Sequence, residues 1–133
     1  MTIQSKIKYN TSMGRKKKFN STEVIRAITS VFLQYGYEAA SLDDLVKATG
    51  LLRGSLYSEF GSKRGMFLAA LQNNLDQVKD GEKTIHLMLI AMLELSRRDK
   101  EIHTLIQEWC QSFPSNELEQ ILGSQLLAVA NIK

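Results

Sequence analysis

Arg53, Ser55, Tyr57 and Ser58 place one guanidinium and three hydroxyls within six residues, just beyond a glycine at position 50. Held on an exposed helix, donors of this kind suit phosphates and base edges. A second pair with chemical potential is His103 and Cys110, seven residues apart and able to share a helical face. In a nucleophilic site they would be base and thiolate. Cys110, however, falls in an apolar stripe and is expected to behave as a small hydrophobe, and no acid is placed to orient the histidine. His86 and His103 lack metal-ligand spacing, and a single cysteine leaves no internal disulfide and no multi-cysteine cluster. The expectation is therefore a protein that binds rather than catalyses, with no metal and no cofactor.

Helices must position the first set. Asn20 or Ser21 can cap an opening helix, with Glu23 completing a capping box. Val24, Ile28, Val31, Phe32 and Tyr35 form its apolar stripe and Gly36 its stop. A second helix starts at Ser41, with Asp44 as a capping candidate, buries Leu42, Leu45 and Val46, and ends at Gly50. A third, over about 53–60, turns Leu56 and Phe60 inward. Gly61-Ser62 then starts a fourth, reaching about Lys79 on a stripe of Phe67, Leu71, Leu75 and Val78. Past Asp80-Gly81, a helix over about 83–98 is apolar on most sides. Another, over about 100–113, carries Ile102, Leu105, Ile106, Trp109, Cys110 and Phe113, and a last one Leu118, Ile121, Leu122, Leu126 and Val129. No stretch sustains the period-two alternation of a strand. The predicted fold is all-α with about seven helices: a flexible basic arm over 1–19, a head over 20–79, and a helical body over 80–133.

Two short helices joined by a tight glycine-containing turn predict a helix-turn-helix between Ser41 and Phe60. Its second helix must project at a fixed angle for its early residues to meet base edges in the major groove. Short helices and glycine turns also occur in many domains that bind nothing, so patterning alone leaves both readings open.

Charge is unevenly distributed. The net charge is +3, but residues 1–20 hold Lys6, Lys8, Arg15, Lys16, Lys17 and Lys18 and no acid, leaving an excess of acids in the rest. Such segregation suits a polyanion, nucleic acid first and an acidic membrane surface second, or else a solvated tail. No signal peptide is evident, and the longest apolar run, Leu87 to Leu93, is far below the roughly 20 residues of a membrane span. A reducing, cytoplasmic setting without a membrane partner is expected.

Residues Val24-Ile25-Arg26-Ala27 through Gly36-Tyr37-Glu38-Ala39-Ala40-Ser41-Leu42-Asp43-Asp44-Leu45-Val46, then Gly50-Leu51-Leu52-Arg53-Gly54-Ser55-Leu56-Tyr57-Ser58-Glu59-Phe60 and Ser62-Lys63, resemble the N-terminal DNA-binding domain of the TetR family. The resemblance covers about Phe19 to Leu71. It implies a homodimeric regulator, usually a repressor, whose C-terminal body dimerises and often binds a small effector. It also implies residue roles. Ser41 would meet a phosphate at the helix's positive end. Arg53 would read guanine O6 and N7. Gly54 and Ser55 would let the backbone approach DNA, with Ser58 available on the same helix. Tyr57 and Lys63 would anchor phosphates, a lysine at a helix start being otherwise electrostatically poor. Arg15, Lys16, Lys17 and Lys18 would act as an arm along the backbone or in the minor groove. The chain departs from the family pattern at Leu52, where Ser or Thr is common, and at Glu59, where an aromatic or histidine is common.

The stretch Leu87 to Ile102 also resembles a TetR-type C-terminal domain, but arrives early, so a reduced body is expected. Met88, Met92, Trp109 and Phe113 are the candidates for a pocket taking a small apolar effector; apolar residues at this spacing are more commonly core. The leading expectation is a homodimeric repressor of a palindromic double-stranded DNA operator. The alternatives are a shortened accessory or dominant-negative partner of a longer relative, without an effector site of its own, and a basic-arm binder of membrane or RNA.

Overall fold

The computed structural model describes residues 20–132, which form seven helices and no strand. The helices are α1 (Ser21–Tyr35), α2 (Leu42–Thr49), α3 (Arg53–Phe60), α4 (Lys63–Gln77), α5 (Glu82–Glu94), α6 (Lys100–Gln111) and α7 (Leu118–Val129). The chain divides into two compact units, one ending at Asp76 and one beginning at Gln77. The sequence boundary at 79/80 falls three residues later.

In the first unit, α1 begins where Asn20 Oδ1 accepts from the amides of Thr22 (2.9 Å) and Glu23 (3.2 Å). Its inward face is Val24, Ile28, Val31 and Phe32. Tyr35, the predicted end of that stripe, is exposed. α2 has a complete capping box: Asp44 N–H donates to Ser41 Oγ (3.0 Å) and Ser41 N–H to Asp44 Oδ2 (2.9 Å). Two orphan amides of the first turn are thus satisfied reciprocally. α1 packs on α2, and α2 on α3. Leu45 and Leu56, one from each of the short helices, are completely buried. Each such leucine contributes on the order of 2 kcal/mol of burial free energy.

Phe32, Tyr37 and Phe67 form an aromatic cluster. Phe67 meets Phe32 and Tyr37 edge-on, with centroids 5.2 and 5.4 Å away. Edge-to-face geometry sets the positive ring edge against the negative face and adds to simple burial. α4 is enclosed more fully than a single stripe predicts: Met66 through Gln72 are all buried. Leu75 is only half-buried, and Val78 is exposed and lies beyond the helix end. Thr29 on α1 reaches α4 through Asn74, whose Nδ2 donates to Thr29 Oγ1 at 3.3 Å.

In the second unit, α5 packs against both α6 and α7. It ends at Glu94, four residues before the predicted Arg98. The amides of Leu95 and Ser96 both donate to the Ala91 carbonyl, and Ser96 Oγ to that of Met92. The Leu95 bond is the last of the helical ladder and the Ser96 amide bond departs from it, ending the helix ahead of α6, whose first turn is capped by Asp99 Oδ1 accepting from Ile102 N–H at 3.1 Å. Ile102, Leu105, Ile106 and Trp109 make the buried face of α6. No residue of α7 is fully buried, and Leu126, Leu127 and Val129 are between 44% and 49% exposed. Among the described residues, no helix is long and apolar enough to cross a membrane.

Candidate nucleic-acid interface

The site is the turn between α2 and α3 and the outer face of α3. Gly50 closes α2 at φ 74°, ψ 7°, donating its amide to the Val46 carbonyl at 2.9 Å. This left-handed conformation costs a side-chain-bearing residue on the order of 1 kcal/mol, and glycine almost nothing. Thr49 locks the turn from both sides. Its hydroxyl donates to the Leu45 carbonyl (2.8 Å) and accepts from Leu51 N–H (3.2 Å). Leu51 is half-buried while Leu52, the residue before α3, is 77% exposed and gives that helix no side-chain cap.

On α3, Leu56 is completely buried and Phe60 half-buried, one helical turn apart. The outer face follows from helical spacing: Arg53, Gly54, Tyr57 and Ser58 are exposed, and Ser55 and Glu59 are half-buried. A Cβ built on Gly54 meets nothing within 4 Å, so no intramolecular contact requires glycine there. The Arg53 side chain pairs with Asp43 of α2, Nη2 to Oδ1 at 2.5 Å. Asp43 was not among the sequence candidates. A separation of ten residues across a turn carries no periodic signal.

Ser41 is exposed at the start of α2. Its bonds to Asp44 hold the Asp44 carboxyl below the usual carboxylate range, the backbone amide of Ser41 being the larger cause and its hydroxyl the next. A carboxylate therefore sits beside the amides that a phosphate would approach.

Lys63 is half-buried at the start of α4. Its ammonium donates to the carbonyls of Ala40 (2.8 Å) and Glu38 (3.3 Å) and lies 4.9 Å from the Tyr37 ring centroid. An ammonium has three protons; two are spent on the α1–α2 connection. The unfavourable lysine at a helix start is thus compensated inside the protein. Gly65, two residues on, is the other position missed in the sequence: a Cβ there would lie 1.9 Å from the Phe60 carbonyl oxygen. Arg15, Lys16, Lys17 and Lys18 lie outside the described residues.

Of the four candidates for a pocket, Met88, Met92, Trp109 and Phe113, two are buried. Met88 is completely buried, and Trp109 is buried with its Nε1 donating to the Lys79 carbonyl at 2.9 Å. Phe113 meets Trp109 edge-on at 5.0 Å and takes the Lys79 ammonium over its face at 4.5 Å. An open cleft of about 520 Å³ lies elsewhere in the second unit, lined by Asp80, Glu82, Ile85, Glu117 and Ile121 among others, and includes none of the four. Cys110 is half-buried, and burial pushes its thiol pKa up, away from the thiolate a nucleophile needs. No group of three or more potential metal ligands occurs among the described residues.

Known proteins resemble the chain over the same region. No solved structure matches the chain. An uncharacterized HTH-type transcriptional regulator, YezE of Bacillus subtilis, is 44% identical over 64 residues, which is 48% of this chain and 33% of that protein. The HTH-type transcriptional repressor ComR of Escherichia coli is 44% identical over 66 residues, 50% of this chain and 31% of ComR. The HTH-type transcriptional activator FasR of Mycolicibacterium smegmatis is 34% identical over 59 residues, 44% and 27% of the two chains. The match thus spans about a third of these relatives. The model for bacterial regulatory proteins of the tetR family matches residues 24–70, from the buried face of α1 through the whole helix-turn-helix into α4. Residues 24–70 of this chain are therefore a domain of the tetR family of bacterial regulatory proteins.

Proposed function

We propose that this protein is a sequence-specific double-stranded DNA-binding transcriptional regulator, acting as a homodimer on a palindromic operator. The observation that carries the reading is the exposed outer face of α3, with Arg53, Tyr57 and Ser58 standing out from a helix that Leu56 seats against α2. Arg53 reads a base edge, Tyr57 and Ser58 contact the backbone, and Ser41 offers a phosphate the start of α2. Lys63 contributes chiefly by bracing the α1–α2 connection and lends its third proton to a phosphate. The basic residues Arg15 to Lys18 add sequence-independent attraction. Repression is favoured by the likeness to ComR, a repressor at 44% identity, over that to FasR, an activator at 34%.

The dimer reading rests on α7. Leu126, Leu127, Val129 and Ile132 expose apolar side chains over one short stretch, and apolar surface of this kind is commonly covered by a partner. Release by an apolar effector draws no support from Trp109 and Phe113, which pack on each other and on Lys79.

Two experiments test the reading. Arg53→Ala should cost about 1–3 kcal/mol on the preferred duplex and relax selection at the position it reads; an unchanged preferred sequence would remove Arg53 from readout. Light scattering should give two chains per operator, and Leu126→Glu with Leu127→Glu should give monomers that bind weakly. One chain per bound duplex in the parent protein would contradict the dimer.

A further inference from the structure

Asp43 lies in the first turn of α2, and its Oδ1 accepts from Arg53 Nη2 across the turn. Both side chains are well exposed, 58% for Arg53 and 81% for Asp43, so the pair adds little to stability. Its effect is on direction. Arg53 is the first residue of a helix that has no side-chain cap, where the helix dipole repels a cation. Asp43 supplies the charge that holds it.

A guanidinium is a planar fork of five donors. With a carboxylate on one edge, the other edge is left to meet two acceptors side by side, as on the guanine major-groove edge. An arginine without such a holder is free to fold onto the nearest phosphate, which gives affinity but no sequence information. A fixed carboxylate beside it also repels phosphates, making that alternative costlier.

We propose that Asp43 is a specificity-determining positioning residue, which directs the Arg53 guanidinium to a base edge and keeps it off the phosphate backbone. The proposal rests on the duplex-DNA reading above. It also explains an acid close to the reading head of a DNA binder, where total affinity alone would select against one.

The test is a double-mutant cycle on the full chain. A preferred duplex is selected with the parent protein, and fluorescence anisotropy gives its Kd and that of a scrambled duplex at one salt concentration. Parent, Asp43→Asn, Arg53→Ala and the double variant are compared. Asp43→Asn should lower the preferred-to-scrambled ratio by about threefold to tenfold, with binding to the scrambled duplex no weaker than the parent's. In the Arg53→Ala background the same substitution should leave the ratio unchanged. An unaltered ratio in Asp43→Asn would overturn the proposal, as would an equal drop in both backgrounds, the signature of a frayed α2. A parent protein that selects no duplex at all overturns the DNA reading itself, an outcome distinct from either.

Discussion

The Lys63 ammonium lies 2.8 Å from the Ala40 carbonyl oxygen, joining the start of α4 to the residue just before the Ser41 cap. Ala40 is 1% exposed, so its carbonyl has little water to turn to. Lys63→Ala should therefore destabilise the protein by about 1.5–3 kcal/mol, the range for bonds to a charged donor. Lys63→Met, which keeps the stem but not the charge, should lose nearly as much. Urea unfolding midpoints measure this, and no change in either would show that the bonds contribute nothing.

Gly54 and Gly65 should respond to alanine in opposite directions. A Cβ on Gly54 meets nothing within 4 Å, so Gly54→Ala should stabilise α3 by about 0.5–1 kcal/mol. The same methyl should weaken DNA binding if the backbone approaches the duplex there. Gly65→Ala drives a Cβ into the Phe60 carbonyl at 1.9 Å and should cost about 1–3 kcal/mol or more. Thermal melts of the pair separate a glycine kept for a partner from one kept for packing.

Leu52 occupies the capping position of α3 without capping it. Leu52→Ser supplies an acceptor for the free amides of the first turn and removes an apolar side chain that is 77% exposed. A gain of about 1 kcal/mol is expected. A thermal melt no higher than the parent's would mean that the Arg53–Asp43 pair already compensates that helix end.

Acid should weaken the second unit through His86. Burial lowers its pKa from the ordinary 6.5, so between that value and its folded pKa the unfolded chain binds more protons than the folded one. Stability is full above about pH 6.5 and falls as pH drops below it. Asp44, whose pKa is lowered from 3.8, contributes stability above that value and loses it only as pH falls further, through its folded pKa. His86→Gln should flatten the stability profile just below pH 6.5 in urea titrations, and an unaltered slope would place the loss elsewhere.

The helices and the turn were legible because each has a local cause. Asn20, Ser41 and Gly50 act on amides and carbonyls within four residues, and their roles could be read from residue type and spacing. Leu45 and Leu56 followed from apolar periodicity. What escaped depends on distance through space. Asp43 meets Arg53 ten residues on, Lys63 meets Ala40 twenty-three residues back, and Gly65 matters only because the Phe60 carbonyl is beside it. Likewise, the apolar spacing of Met88, Met92, Trp109 and Phe113 fits a pocket lining and a core equally well. The bond from Trp109 to the Lys79 carbonyl, thirty residues away, decides how that ring is used.

The most direct test of the whole reading is selection from a random library of duplexes at physiological salt, followed by Kd measurement on the enriched and on a scrambled sequence. The expected result is a palindromic consensus whose half-sites lie about one helical turn apart, bound about a thousandfold or more tighter than the scrambled duplex. Enrichment of no sequence, with all duplexes, single strands and anionic vesicles bound alike, would contradict it.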